Sequence, residues 1–212
     1  LKELYEGLQR ETFHPQGLMQ KIWKLQFKAK EIHSIGLWSQ DYSLFLKKHK
    51  KFTDLGYNFW FRFTILPDDP VIKPVAPPLK EQLYQLESLC TFFNKDGINV
   101  CVDPIFLYTK NNMLYNAYTS EFLEKLCLSL CQMGIGSMTI SIIDLYKKVL
   151  HRLKRYEVQL IPKTLSNDEY FQKVYDIIYN FKKIADTYAI SVRSCCENDL
   201  TDLLLTERGT CT

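Results

Sequence analysis

The sequence predicts an α/β fold, either a partial (β/α) TIM-like barrel or an open parallel sheet, with about five strands and flanking helices. Three observations carry this. Short apolar or branched runs alternate with longer helical stripes along most of the chain. Each strand is separated from the next by a helix, the arrangement that joins parallel strands through right-handed crossovers. The strands also read as near-continuous apolar runs, as in sheets covered on both faces.

Element by element, residues 1–10 and 17–30 read as helices. LMQKIWKLQFKAK places Leu18, Ile22, Trp23, Leu25 and Phe27 near helical spacing with lysines between them. Ile35–Trp38 is the first strand. Residues 42–54 form a helix with Tyr42, Leu44, Phe45 and Leu46 as its apolar part; the basic run KKHKK (47–51) lies in it and Gly56 ends it. YNFWFRFTI (57–65) is aromatic and branched, hence a strand. PDDPVIKPVAPP (67–78) holds five prolines and is irregular. LKEQLYQLESLCTFFNK (79–95) carries a helical apolar stripe, closed by Gly97.

INVCVDPI (98–105) is the third strand, stopped by Asp103-Pro104. SEFLEKLCLSLCQMG (120–134) is a helix between an N-cap at Ser120 and a C-cap at Gly134. SMTISII (137–143) is the fourth strand, and 145–155 are helical. Residues 166–188 form a long helix opened by Ser166 or Asn167. AISVRS (189–194) is the fifth strand, and the tail to Thr212 carries no clear signal.

The chain has 212 residues, 46% hydrophobic and 24% charged, which suits one domain with a large core. A net charge of +3 is too weak to argue for nucleic acid by itself. No apolar run approaches the roughly 18–20 residues that span a bilayer. The start has no apolar signal-peptide core, although it begins with Leu, so residues upstream are expected. The expectation is a soluble, intracellular (cytoplasmic) protein with no membrane contact. Seven cysteines, mostly inside apolar segments, fit reduced buried thiols.

In parallel α/β folds the ligand site lies at the carboxyl ends of the strands. Trp38, Ser39, Gln40 and Asp41 follow the first strand, and Arg62 and Thr64 end the second. Asp103 follows the third. Ser141, Asp144 and Tyr146 follow the fourth. Arg193, Cys195, Cys196 and Glu197 follow the fifth. Each has a bland alternative. Asp103 fits a turn, Asp144 a helix cap, Trp38 the core. Arg62 alternates with aromatics and points either to a partner carboxylate or to solvent. Together the residues form a candidate pocket. Other chemistry finds little support: there is no Gly-rich phosphate loop, no nucleophile elbow, and no zinc spacing among His14, His33, His49 and His151. Cys127 and Cys131 share a helix face whose neighbours favour packing. KKHKK and HRLKR (151–155) read as solvated helix faces.

Seven stretches, in order, carry a family resemblance: WSQD (38–41), FRFT (61–64), VIKPVAPP (71–78), CVDPI (101–105), SIIDLY (141–146), CCE (195–197) and RGTCT (208–212). Together they resemble the bacterial family catalogued as domain of unknown function 1848, allied to radical S-adenosylmethionine (SAM) proteins and spore photoproduct lyase. The resemblance covers residues 30–212 and implies a radical-SAM-like α/β domain at 31–212, preceded by a helical extension at 1–30. The family pattern has Lys and Asn where this chain has Gln40 and Asp41, and Arg where it has Cys101. Its opening strand is not seen, and its cysteine-rich cluster segment lies beyond Thr212.

These departures set the functional expectations. The first is a degenerate, non-catalytic barrel acting as a binding or scaffold module, or pseudoenzyme. Its partner is another protein or a further domain, and residues 1–30 are the candidate contact surface. The second is an active enzyme that uses SAM and an iron–sulfur cluster whose cysteines lie outside this chain. Asp103, Asp144 and Glu197 then orient substrate or SAM, Arg62 holds an anion, and Cys195, Cys196 and Cys211 are candidate ligands of an auxiliary metal. The third is a nucleic-acid-associated protein, suggested by the repair relative and the basic runs.

Overall fold

A computed structural model describes residues 2–10, 12–13, 25–26, 28–144, 146–160, 166–195 and 208–209. Helix α1 (Lys2–Gln9) opens the chain, and a short hairpin pairs β1 (Thr12–Phe13) with β2 (Leu25–Gln26). The helix expected over 17–30 is therefore not continuous. Leu25–Gln26 is extended because its backbone pairs with Thr12–Phe13, and Ala29–Glu31 is a single 3-10 turn. The α1 helix buries Leu8 in the core and sets Tyr5 edge-on to Phe52, with ring centroids 5.4 Å apart. Its apolar face is thus covered by its own domain.

The main sheet holds β3 (Ile35–Ser39), β4 (Phe59–Thr64), β5 (Ile98–Ile105), β8 (Ser137–Ile142), β9 (Ser191–Cys195) and β10 (Arg208–Gly209). All are parallel, and their order across the sheet is their order along the chain. Right-handed crossovers without any reversal put every connecting helix on one face, the winding of a barrel rather than of a doubly wound sheet. The helices α2 (Ser43–Leu46), α4 (Leu79–Phe92), α5 (Ser120–Met133) and α7 (Asn167–Thr187) accordingly pack against one another in succession. Among the described residues β3 and β10 do not pair, so the sheet stays open.

Register separates the two faces. Leu37, Phe61, Phe63, Val100, Val102, Met138, Ile140 and Val192 share the helix-covered side. There Tyr42 packs edge-on to Phe61 and Phe63, at 5.6 and 4.9 Å between centroids. Trp38, Arg62, Thr64, Asn99, Cys101, Thr139 and Arg193 share the other side. The strands are therefore not apolar on both faces, as their composition suggests. They alternate, and the alternation is masked because small or aromatic residues such as Cys101 and Trp60 interleave with the polar ones.

The sheet also curls. Three strand spacings separate β4 from β9, about 14 Å in a flat sheet. Yet Arg62 Nη2 lies 3.3 Å from Cys195 Sγ. Only a sheet concave toward its polar face brings them together.

Several elements depart from the sequence expectation. The helix at 42–54 breaks at Lys47-Lys48 into α2 and α3 (His49–Thr53). The break lets Phe45 and Phe52 meet at 5.1 Å, whereas two turns of continuous helix would hold them about 10 Å apart. Asp103-Pro104 does not end β5. The pairing skips these two residues and resumes at Ile105 opposite Ile142, so the proline's missing N–H falls where no ladder bond is needed. The Asp103–Pro104 peptide is cis. A hairpin of β6 (Tyr108–Lys110) and β7 (Met113–Tyr115) turns on Asn111 and Asn112, both at positive φ. Thr119, not Ser120, caps α5 by accepting from the Phe122 N–H. Ser166 caps α7 in a reciprocal capping box with Glu169. Helix α6 (Lys147–Arg155) lies between β8 and α7 along the chain. Among the described residues no helix is long and apolar enough to cross a membrane.

Candidate functional site

Arg62 is the centre of the concave face. It is 2% exposed, yet it touches three other strands. Its guanidinium carbon sits 4.4 Å over the Trp38 ring of β3. Its Nη2 lies 3.8 Å from Asp103 Oδ2 on β5 and donates to Cys195 Sγ on β9. Trp38 is held in turn, since its Nε1 donates to Thr64 Oγ1 at 3.1 Å. The indole remains 65% exposed, which corrects the core alternative for this residue. Beside this group, Asn99 Oδ1 accepts from Thr139 Oγ1 at 3.2 Å and from Cys101 Sγ at 3.3 Å.

Burial governs the electrostatics. It raises the Asp103 carboxyl above its usual value, and the Arg62 guanidinium and a hydrogen bond with Ser141 only partly oppose this. Burial also pushes the Cys101 thiol up to about 12, so it stays protonated and packs as a small apolar group. The family pattern has Arg at this position. Here the Arg62 guanidinium of β4 lies close enough to Cys101 to oppose the effect of burial on its thiol. Arg193, registered opposite Thr139, is half-buried, and its enclosed Nε has no partner among the described residues.

The structure thus brings Trp38, Arg62, Thr64, Asp103, Ser141 and Cys195 into contact, with Arg193 on the same face. Other candidates stand apart. Ser39 makes a local turn, accepting from the Asp41 N–H at 3.0 Å and donating to its carbonyl. Asp144 is exposed and accepts from the Tyr146 hydroxyl at 3.2 Å, so it caps no helix. Asp144 and Tyr146 line a cavity of about 260 Å³, with Gln40, Asp103, Pro104 and Arg152. Glu197, Cys196 and Cys211 lie outside the described residues.

Cys127 is buried in the core, as packing requires, while Cys131 is exposed. Among the described residues no three His, Cys, Asp or Glu side chains gather to hold a metal. These residues therefore do not fit an iron–sulfur cluster, which needs several thiolates at one point. Sequence reasoning missed Asn99 and Thr139. Their signal was strict alternation, since Asn99, Cys101 and Asp103 are spaced two apart.

The fold is an open, parallel α/β sheet flanked by helices, curled with polar groups on its concave side. The family is then settled by the match of its model. The chain belongs to the family described as domain of unknown function (DUF1848), which matches residues 4–212. No curated protein and no solved structure matches significantly.

Proposed function

We propose that this chain is a radical-SAM-like half-barrel that binds a small ligand on its concave face and acts as a scaffold within a larger protein or complex. On its own it is non-catalytic. The observation that carries this reading is Arg62, a buried cation that ties β3, β5 and β9 into one polar surface. A sheet needing only a core would put an apolar side chain there, since a buried charge is costly. Retention of a guanidinium beside Cys101 supports a preserved ligand site rather than a lost one. The open sheet edges support a covering partner or further domain.

One observation favours the enzyme alternative. Asp103 is a carboxyl of raised pKa in a strand-end site, a property common to acid–base residues. The two are separated by anaerobic reconstitution of the full-length protein, with iron and sulfide content and SAM cleavage as readouts. No SAM cleavage, together with a small molecule co-purifying in native mass spectrometry and a partner recovered by affinity purification, is expected. A reconstituted cluster that cleaves SAM overturns the non-catalytic reading. An inert monomer with neither ligand nor partner overturns the scaffold reading. The nucleic-acid expectation has less support, because KKHKK spans the turn before α3 and its first residues, whereas HRLKR lies on α6.

A further inference from the structure

The geometry points to an oxyanion, a carboxylate or phosphate group, as the moiety recognised on the concave face, with Arg193 as its anchor. This rests on the reading of that face as a ligand site. The two arginines of the face are not equivalent. Both enclose an Nε that makes no hydrogen bond among the described residues, but Arg62 is otherwise engaged by Trp38, Asp103 and Cys195. Arg193 makes no ion pair among the described residues, and its Nε is enclosed without an acceptor. An enclosed N–H without an acceptor loses hydration that nothing in its surroundings returns. An oxyanion returns it through charge-assisted, bidentate hydrogen bonds.

The charge balance of the face agrees. Two guanidinium groups, Arg62 and Arg193, lie on this face, and the one carboxylate that pairs with them among the described residues is Asp103, which faces Arg62. The face therefore has an excess of positive charge on its enclosed side. A neutral donor lies nearby in Asn99, whose Oδ1 accepts from Thr139, the register neighbour of Arg193. The amide group of Asn99 adds donor capacity beyond the acceptor oxygen already used. A neutral or cationic ligand would leave Arg193 unanswered, so the site selects for negative charge.

The test titrates the full chain with inorganic phosphate and with succinate by calorimetry, against sodium chloride of matched ionic strength. Binding of one or both is expected, and which one binds tells phosphoryl from carboxylate recognition. Arg193→Gln should weaken it about tenfold or more. Asn99→Asp keeps the oxygen that accepts from Thr139 and Cys101 but adds a negative charge, so it should also abolish anion binding. This second variant keeps the proposal open to refutation where Arg193→Gln unfolds, and circular dichroism reports folding of both. Undiminished anion affinity in a folded Arg193→Gln or Asn99→Asp variant overturns the proposal. Absence of binding by either anion overturns it too. In that event a neutral small molecule co-purifying with the wild-type chain leaves the ligand-site reading standing, while its absence removes both.

Discussion

Two regions of this molecule bury a cation, and they do it in opposite ways. In the proline loop, Lys73 is 6% exposed and donates to Leu66 O, to Asp68 and to Gln82 Oε1. All three ammonium donors are satisfied. Asp68 also accepts from the Leu79 N–H at 2.8 Å. Burial raises the Asp68 carboxyl, but Lys73 and that N–H outweigh it, and its pKa falls below the usual value. On the concave face the balance reverses, and burial keeps Asp103 above its usual value despite Arg62. Complete partnership marks a structural pin. Around Arg62 burial prevails instead, so Asp103 resists ionisation where Asp68 favours it. Gln82 links the two regions, because its Nε2 donates to Gln40 O and Thr64 O at the edge of the site.

The largest effect is expected at the pin. Lys73→Met leaves Leu66 O, Asp68 and Gln82 without their shared donor and should cost about 2–3 kcal/mol in urea unfolding. Arg62→Met should cost less, about 1 kcal/mol, because Asp103 can take up a proton once its cation is gone. A larger loss for Arg62→Met than for Lys73→Met would show that the concave face, not the loop, is the structural centre.

The pH dependence separates the two carboxyls next. A carboxyl raised in the folded state, such as Asp103, supports folding fully below its unfolded value near 3.8, and this support is lost as pH rises through the raised value. Asp68 is lowered, so its contribution is present above 3.8 and is lost as pH falls through the lowered value. Stability curves for Asp103→Asn and Asp68→Asn against wild type should therefore diverge in opposite senses. Curves that move together would break the contrast. The smallest effect concerns thiols: alkylation followed by mass spectrometry should modify exposed Cys131 well before buried Cys101 and Cys127, whose thiols burial holds at about 12. Early labelling of Cys101 would mean that water reaches the inner wall of the site.

Much of the fold was legible because its signals are local. The apolar stripe of α4, the cap at Gly134 and the capping box at Ser166 act within a few residues of themselves. The Asn111-Asn112 turn was equally local and went unread, although paired asparagines at positive φ are a hairpin signal. The continuous helix read at 42–54 failed because the contact between Phe45 and Phe52 overrides propensity. Trp38, Arg62, Asp103 and Ser141 were legible as strand-end residues, but Ser39 was not separable from them, since a turn serine and a site serine look alike in sequence.

What the sequence determined by itself is the five main strands β3, β4, β5, β8 and β9, their parallel succession and the row of polar residues they present, because hydrophobic period and strand-end position are properties of the chain alone. What only the tertiary structure decided is which of those residues meet. Cys195 follows Arg62 by 133 positions, and nothing in their local sequences predicts contact. They meet because the sheet curls around its polar face, and curvature is a collective outcome of strand twist and of one-sided helix packing. The Arg193 Nε is enclosed on the same face without an acceptor among the described residues, which no reading of ISVRS in isolation reveals.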